Sequence, residues 1–181
     1  MKKRIVWITG LVLAGAVALL VVWGRIDWTD RSNVLAALYG GPQGLDLIAH
    51  PDRIEAYRLA PQTDEFDSDK ATLADYRITS GPIAVPNSVA ATISEALSAP
   101  GSYMWDSVKG CHPSFEVRLT FLRGLERIDV LFCFGCMILR AAEYENFDYA
   151  MPAMVRAVKA IFPNDPEIQR LREDGRRSPK S

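Results

Sequence analysis

Phe115-Glu-Val-Arg-Leu-Thr-Phe121 and Ile128-Asp-Val-Leu-Phe-Cys-Phe-Gly-Cys136 decide the fold. On the first arm Phe115, Val117, Leu119 and Phe121 alternate with Glu116, Arg118 and Thr120. That period of two is the signal of a half-buried strand. On the second arm Ile128, Val130, Phe132 and Phe134 share a face. A two-residue loop, Gly124-Leu125, pairs Arg123 with Glu126, and glycine at the first loop position suits a type II′ turn. This register sets Phe121 opposite Ile128, Leu119 opposite Val130, Val117 opposite Phe132 and Phe115 opposite Phe134. A slip of one residue would set apolar against polar along the whole pair. Extended to the open end, the register places Cys136 opposite Pro113, with Cys111 one diagonal step away. It turns Cys133 to the other face, opposite Glu116.

Upstream, Asp30 or Ser32 caps a short helix through Leu35 and Leu38, stopped by Gly40-Gly41. Pro42 fits the first turn of a second helix through Leu45 and Ile48, closed by Pro51. Ile54 to Leu59 alternates as a strand. Pro61 to Lys70 is a polar loop whose Asp64, Glu65, Asp67 and Asp69 suggest calcium, but the glycine and the terminal glutamate of an EF-hand loop are missing. One or two short strands surround Gly81-Pro82. Asn87 or Ser88 caps a helix through Val89, Ile93 and Leu97.

Downstream of Cys136, Met137 to Ala141 reads as a continuation of the strand past a kink at Gly135. A helix beginning near Asp148 carries Met151, Met154, Val155, Val158, Ile161 and Phe162 on one stripe. Asp165 then caps a last short helix with Pro166 in first position and Ile168 and Leu171 facing inward. The fold class expected is α+β. A small antiparallel sheet, centred on a 115–136 hairpin, packs one apolar face against the 88–98 and 150–162 helices.

The N-terminal segment sets the expected location. Met1-Lys-Lys-Arg4 is followed by Ile5 to Trp23, which is free of charge. Such a run is long enough to cross a bilayer as a helix, and too long for the apolar core of a cleaved leader. Lys2, Lys3 and Arg4 hold the N-terminus inside. The expectation is a single-pass inner-membrane protein, in contact with lipid through residues 5–23 and with its domain on the periplasmic or extracellular side. Residues 1–25 form the anchor, 26–52 short helices and a linker, 53–174 the α+β domain, and 175–181 a basic tail. Without Lys2, Lys3 and Arg4, 18 of the 21 basic side chains remain against 22 acidic ones. Nucleic acid is thereby excluded as a partner, since it calls for a basic face. Another envelope protein is the partner expected.

The chemistry of the chain lies in its three cysteines. In an oxidising compartment cysteines are mostly paired. The hairpin register favours a Cys111–Cys136 disulfide, with Cys133 as the alternate partner. Closing a loop of about 25 residues stabilises by roughly 3 kcal/mol. Two other chemistries compete. Cys111, His112, Cys133 and Cys136 offer three thiolates and an imidazole to zinc. Cys133-Phe-Gly-Cys136 offers a dithiol for thiol–disulfide exchange, although the strand with its cis-proline that thioredoxin-like chains use is missing. No cofactor is expected under the disulfide assignment. No Gly-x-Ser-x-Gly, phosphate-cradling glycine loop or His-Glu-x-x-His is present, and Glu143, Glu145 and Asp148 read as a surface run.

Cys111-His-Pro113, Leu131-Phe-Cys-Phe-Gly-Cys136 and Phe162-Pro-Asn-Asp165 together resemble a family of uncharacterised bacterial envelope proteins. In that family Cys-x-Pro precedes a strand, a second strand ends in Cys-Phe-x-Cys, and a later helix closes with Phe-Pro-x-Asp. The similarity spans about residues 40 to 172. It implies an envelope location and this fold, and supplies no reaction. The function expected is thus a membrane-anchored envelope protein with a disulfide-stabilised binding domain. The alternative is a zinc or thiol-redox protein using Cys111, Cys133 and Cys136.

Overall fold

The computed structural model describes residues 31–62, 75–105, 112–141, 144–148 and 152–173. The chain divides into two units between Val34 and Leu35. Of the first, residues 31–34 are described and are helical. The second holds the end of that helix, to residue 38, one antiparallel six-stranded sheet, a 3-10 turn at Pro100–Ser102 and four further α-helices among its described residues. Its elements are α1 (Pro42–Ala49), β1 (Arg53–Leu59), β2 (Ile78–Ala84), α2 (Asn87–Ser98), β3 (Val117–Arg123), β4 (Glu126–Cys133), β5 (Ile138–Ala141), β6 (Tyr144–Asp148), α3 (Pro152–Ile161) and α4 (Pro166–Gln169). The sheet order is β2-β1-β3-β4-β5-β6.

β3 and β4 form the expected hairpin in the expected register. Val117 pairs with Phe132, Leu119 with Val130, Phe121 with Ile128 and Arg123 with Glu126. Gly124 takes φ 56°, a region the side chain of any other L-residue resists, and Leu125 does not follow it there. That pattern separates a type II′ turn from type I′. The hairpin tip is tied to its surroundings. Asp52 accepts from the Gly124 backbone N–H at 2.9 Å, and Arg123 donates to Asp46 of α1 at 2.7 Å and to Glu126 at 2.9 Å.

Alternation decides the two faces of the sheet. Ile54, Ala56, Leu119, Phe121, Val130 and Phe132 point to one side and share a core with α1, α2, α3 and α4. Each of these helices is amphipathic and buries one stripe: Leu47 and Ile48 from α1, Ile93 and Leu97 from α2, Met154, Val155 and Val158 from α3, Ile168 from α4. A fully buried phenylalanine or leucine contributes about 1.5–3 kcal/mol. A smaller cluster, Leu59, Tyr76, Phe115, Leu131, Cys133 and Ile138, lies on the opposite face. None of the described helices contributes to it.

Several expectations need correction. The fold class was to include an N-terminal transmembrane helix. Among the described residues no helix is long and apolar enough to cross a membrane. The four helices run 8, 12, 10 and 4 residues, against the ~20 a bilayer needs. Residues 5–23 lie outside the described residues. What the structure presents is an α+β fold.

Phe115 does not face Phe134. β3 begins at Val117, so the alternation that placed Phe115 stops before it. Its ring turns to the second face and meets Tyr76 edge-on at 5.7 Å. The chain after Cys133 does not continue as a kinked strand. Residues 134–137 form a turn, Met137 takes φ 56°, and β5 returns antiparallel with Ile138 opposite Cys133. Neither Asn87 nor Ser88 caps α2: Pro86 holds that position and no side-chain cap bond is made. Asp148 ends β6 instead of opening a helix, which starts at Pro152. Proline suits that place because the first helical turn leaves its N–H positions unbonded.

Candidate functional site

The β4–β5 turn gathers the sulfur chemistry. Cys133 closes β4 and Cys136 lies in the turn that follows, so Cys-x-x-Cys frames a hairpin corner and no helix N-terminus. Cys133 is a buried thiol on the second face, as its strand position implies. Cys136 packs at the edge of the same cluster. The two approach to 3.8 Å, outside bonding distance. The Cys136 sulfur lies 3.6 Å from the backbone carbonyl oxygen of His112. Cys111 lies outside the described residues, so its place in a disulfide or zinc set does too. His112 meets Cys136 through its backbone, and its exposed imidazole is not the group in contact. Among the described residues no group of three or more His, Cys, Asp or Glu side chains could hold a metal ion.

The second face of the sheet carries a polar strip that the alternation marked only as the non-core side. Register brings its members together: Tyr57 stands opposite Arg118, Glu55 opposite Thr120, Thr120 opposite Asp129, and Leu131 opposite both Arg118 and Arg140. Glu116, Arg118 and Thr120 are buried. Asp129 accepts from Arg127 Nε at 2.9 Å and from its Nη2 at 3.2 Å, and the Thr120 hydroxyl donates to the same carboxylate. The bond to Asp129 raises the Arg127 pKa. Glu55 accepts from Arg53 at 3.2 Å and from the Tyr57 hydroxyl at 2.8 Å. Burial first, then that carboxylate, pushes the Tyr57 phenol up, against a smaller opposing pull from Arg118. The guanidinium carbon of Arg118 lies over the Tyr57 ring, 4.1 Å from its centre, and that of Arg140 lies 5.3 Å from the centre of Phe115. Arginine prefers such aromatic faces for its delocalised charge.

Clefts lie elsewhere among the described residues. One, of about 620 Å³, runs between the edge strand β2 and the α3–α4 connection. Its apolar wall is Ile83, Phe162 and Pro163, and the Arg58–Asp165 ion pair forms its polar end. Another, of about 700 Å³, opens between the α1–β1 connection and α2. His50, Asp52, Arg53, Ser94 and Glu95 line it. His50 Nδ1 sits 3.0 Å from Asp46, one helical turn away and on an exposed face.

Sequence reasoning missed Arg118, Thr120 and Asp129 as candidates. The available signal was charge and hydroxyl facing each other across strands in a register already fixed. It marked neighbours without marking burial. Comparison of the chain with protein-family profiles, with curated proteins and with solved structures finds no match.

Proposed function

We propose that this chain is a binding module of the cell envelope, stapled by a Cys111–Cys136 disulfide, which docks a partner on the second face of its sheet. One observation carries the docking face. Glu116, Arg118 and Thr120 are buried in the middle of a face to which no described helix contributes a buried side chain. Apolar residues fill such a place at lower cost when stability alone is needed. A strip of hydrogen-bonded charges with tyrosine and arginine at its centre has the composition of a recognition surface.

The staple rests on two supports. Cys133 is a thiol. The Cys136 sulfur touches the carbonyl of the residue beside Cys111. Such a bridge belongs in an oxidising compartment, and the envelope is proposed on that ground. A second function, thiol–disulfide exchange, has one observation in its favour: the 3.8 Å approach of Cys133 to Cys136.

Site-specific photo-crosslinking in living cells tests the docking face. Probes replace Arg53 or Arg127 at the rim of the strip, and Glu95 or Arg156 on the helical side. A discrete adduct from the first pair alone supports the proposal. No adduct, or equal adducts from both sides, defeats it.

A further inference from the structure

On the second face of the sheet the Asp129 and Glu55 carboxylates are hydrogen-bonded, and the Nε of Arg118 is not. Arg127 and Thr120 take up the Asp129 carboxylate, and Arg53 and Tyr57 take up Glu55. Glu116 has contacts of its own. The nearest carboxylate oxygen to Arg118 Nε is Asp129 Oδ1, at 3.8 Å, too far for a hydrogen bond. That Nε is wholly buried and finds no hydrogen-bond partner among the described residues. The side chain as a whole is only 10% exposed. Buried polar groups are nearly always bonded, and each exception calls for an explanation. A buried charged donor that lacks its hydrogen bond is costly, and more so than a neutral donor.

We infer that Arg118 is the anchor of an anion-binding site that takes a carboxylate or phosphate group on the bound partner. The Tyr57 ring, 4.1 Å from the guanidinium carbon, holds that group in place before a ligand arrives. A planar fork held in place is the arrangement that receives two oxygens of one anion side by side. Arg140 stands in the same cross-strand row, on the far side of Leu131, and adds positive charge at one flank. The inference rests on the second face being the docking face, and it names the chemistry that docks there.

The test uses the full chain and two simple probes, inorganic phosphate and acetate, each added against chloride at constant ionic strength. The Nε–H signals of the arginines are followed by nuclear magnetic resonance. The expected result is a saturable shift of the Arg118 signal with at least one probe. A response to phosphate alone assigns a phosphate-bearing partner, and a response to acetate alone a carboxylate-bearing one. Arg118→Lys, which keeps the charge and loses the fork, should bind at least about tenfold more weakly. The melting temperature of the wild-type chain provides a measure that needs no variant, and it should rise with the same saturation curve. Absence of any saturable response in the wild type overturns the inference. So does undiminished binding by a folded Arg118→Lys chain. Failure here leaves the crosslinking result standing, because a partner can dock on this face without presenting an anion to Arg118.

Discussion

Arg58 Nε donates to Asp165 Oδ2 at 2.7 Å, joining β1 to the start of α4. The other oxygen of the same carboxylate caps α4, accepting from the backbone N–H groups of Glu167 at 2.9 Å and Ile168 at 3.1 Å. Arg58 also donates to the carbonyl oxygens of Leu59 and Glu116, so its guanidinium fastens β1, the chain entering β3, and α4 at one point.

That carboxylate gives stability a defined pH dependence. Burial works to raise the Asp165 pKa, but Arg58 and the two backbone donors outweigh it and hold the group below its usual range. A depressed folded-state pKa contributes stability above the unfolded value of about 3.9, and the contribution is lost as pH falls through the folded value. Asp165→Asn keeps a capping side chain and loses the charge. It should be less stable than wild type by about 1.5–3 kcal/mol at pH 7. The difference should shrink as pH falls from the unfolded value through the folded one. Urea melts across that range measure this, and a constant difference would refute it.

Gly44 is expected to refuse any side chain. A β-carbon there would lie 1.8 Å from the Tyr39 carbonyl oxygen and 3.1 Å from Ile128 Cδ1. The nearer obstacle is backbone, so α1 would have to shift against the sheet. Gly44→Ala should cost about 3 kcal/mol, the upper end of the usual range for overpacked cores. Gly135, in the β4–β5 turn, has open space around it and no positive φ. Gly135→Ala should be neutral or gain up to about 1 kcal/mol by restricting the unfolded chain. Thermal melts of the two variants side by side check the contrast.

The phenols of Tyr39 and Tyr103 lie 2.6 Å apart in the core, and Tyr103 donates onward to the Leu97 carbonyl at 2.7 Å. Tyr103→Phe strands two groups, the Tyr39 hydroxyl and that carbonyl. Tyr39→Phe strands one acceptor. The first should cost about 2–3 kcal/mol and the second about 1 kcal/mol. Burial drives the Tyr39 pKa far upward, outweighing the opposing bond from Tyr103. In alkaline titration this tyrosine should ionise only with unfolding, which the tyrosinate absorbance will report.

The cysteines offer the fourth test. Under native conditions Cys133 should resist alkylation, and peptide mapping without reductant should recover Cys111 joined to Cys136. Reduction should lower stability by roughly 3 kcal/mol, the value for a loop of this size. Recovery of Cys133 joined to Cys136 would transfer the chemistry to exchange at the turn.

The hairpin was legible because seven residues of strict alternation on one arm and a glycine turn leave a single register. α1 and α4 were legible from Pro42 and from Asp165-Pro166, residues that each signal a helix start locally. Phe115 was not, because alternation stops predicting direction where the backbone leaves the strand. Met137 in the left-handed region carries no sequence mark, so the chain was read straight through the corner that β4 and β5 make. β6 was hidden because Glu145 and Asp148 look like a charged surface. The crowding at Gly44 was hidden, since nothing local says that Tyr39 folds back over it. The strip around Arg118 was assigned to the correct face by period two, but its burial depends on what lies above the face, which no pattern along one strand records.

The place of β1 between β2 and β3 has a consequence during synthesis. β1 leaves the ribosome before either of its neighbours, and it pairs with β3 residues more than fifty positions later in the chain. Until then Arg53-Ile-Glu-Ala-Tyr-Arg-Leu59 offers an unpaired edge to any extended peptide nearby. The β3–β4 hairpin closes on its own local contacts, so it is the template onto which the waiting strand zips. Nascent chains that stall before Val117 should therefore be the ones that recruit chaperones or precipitate.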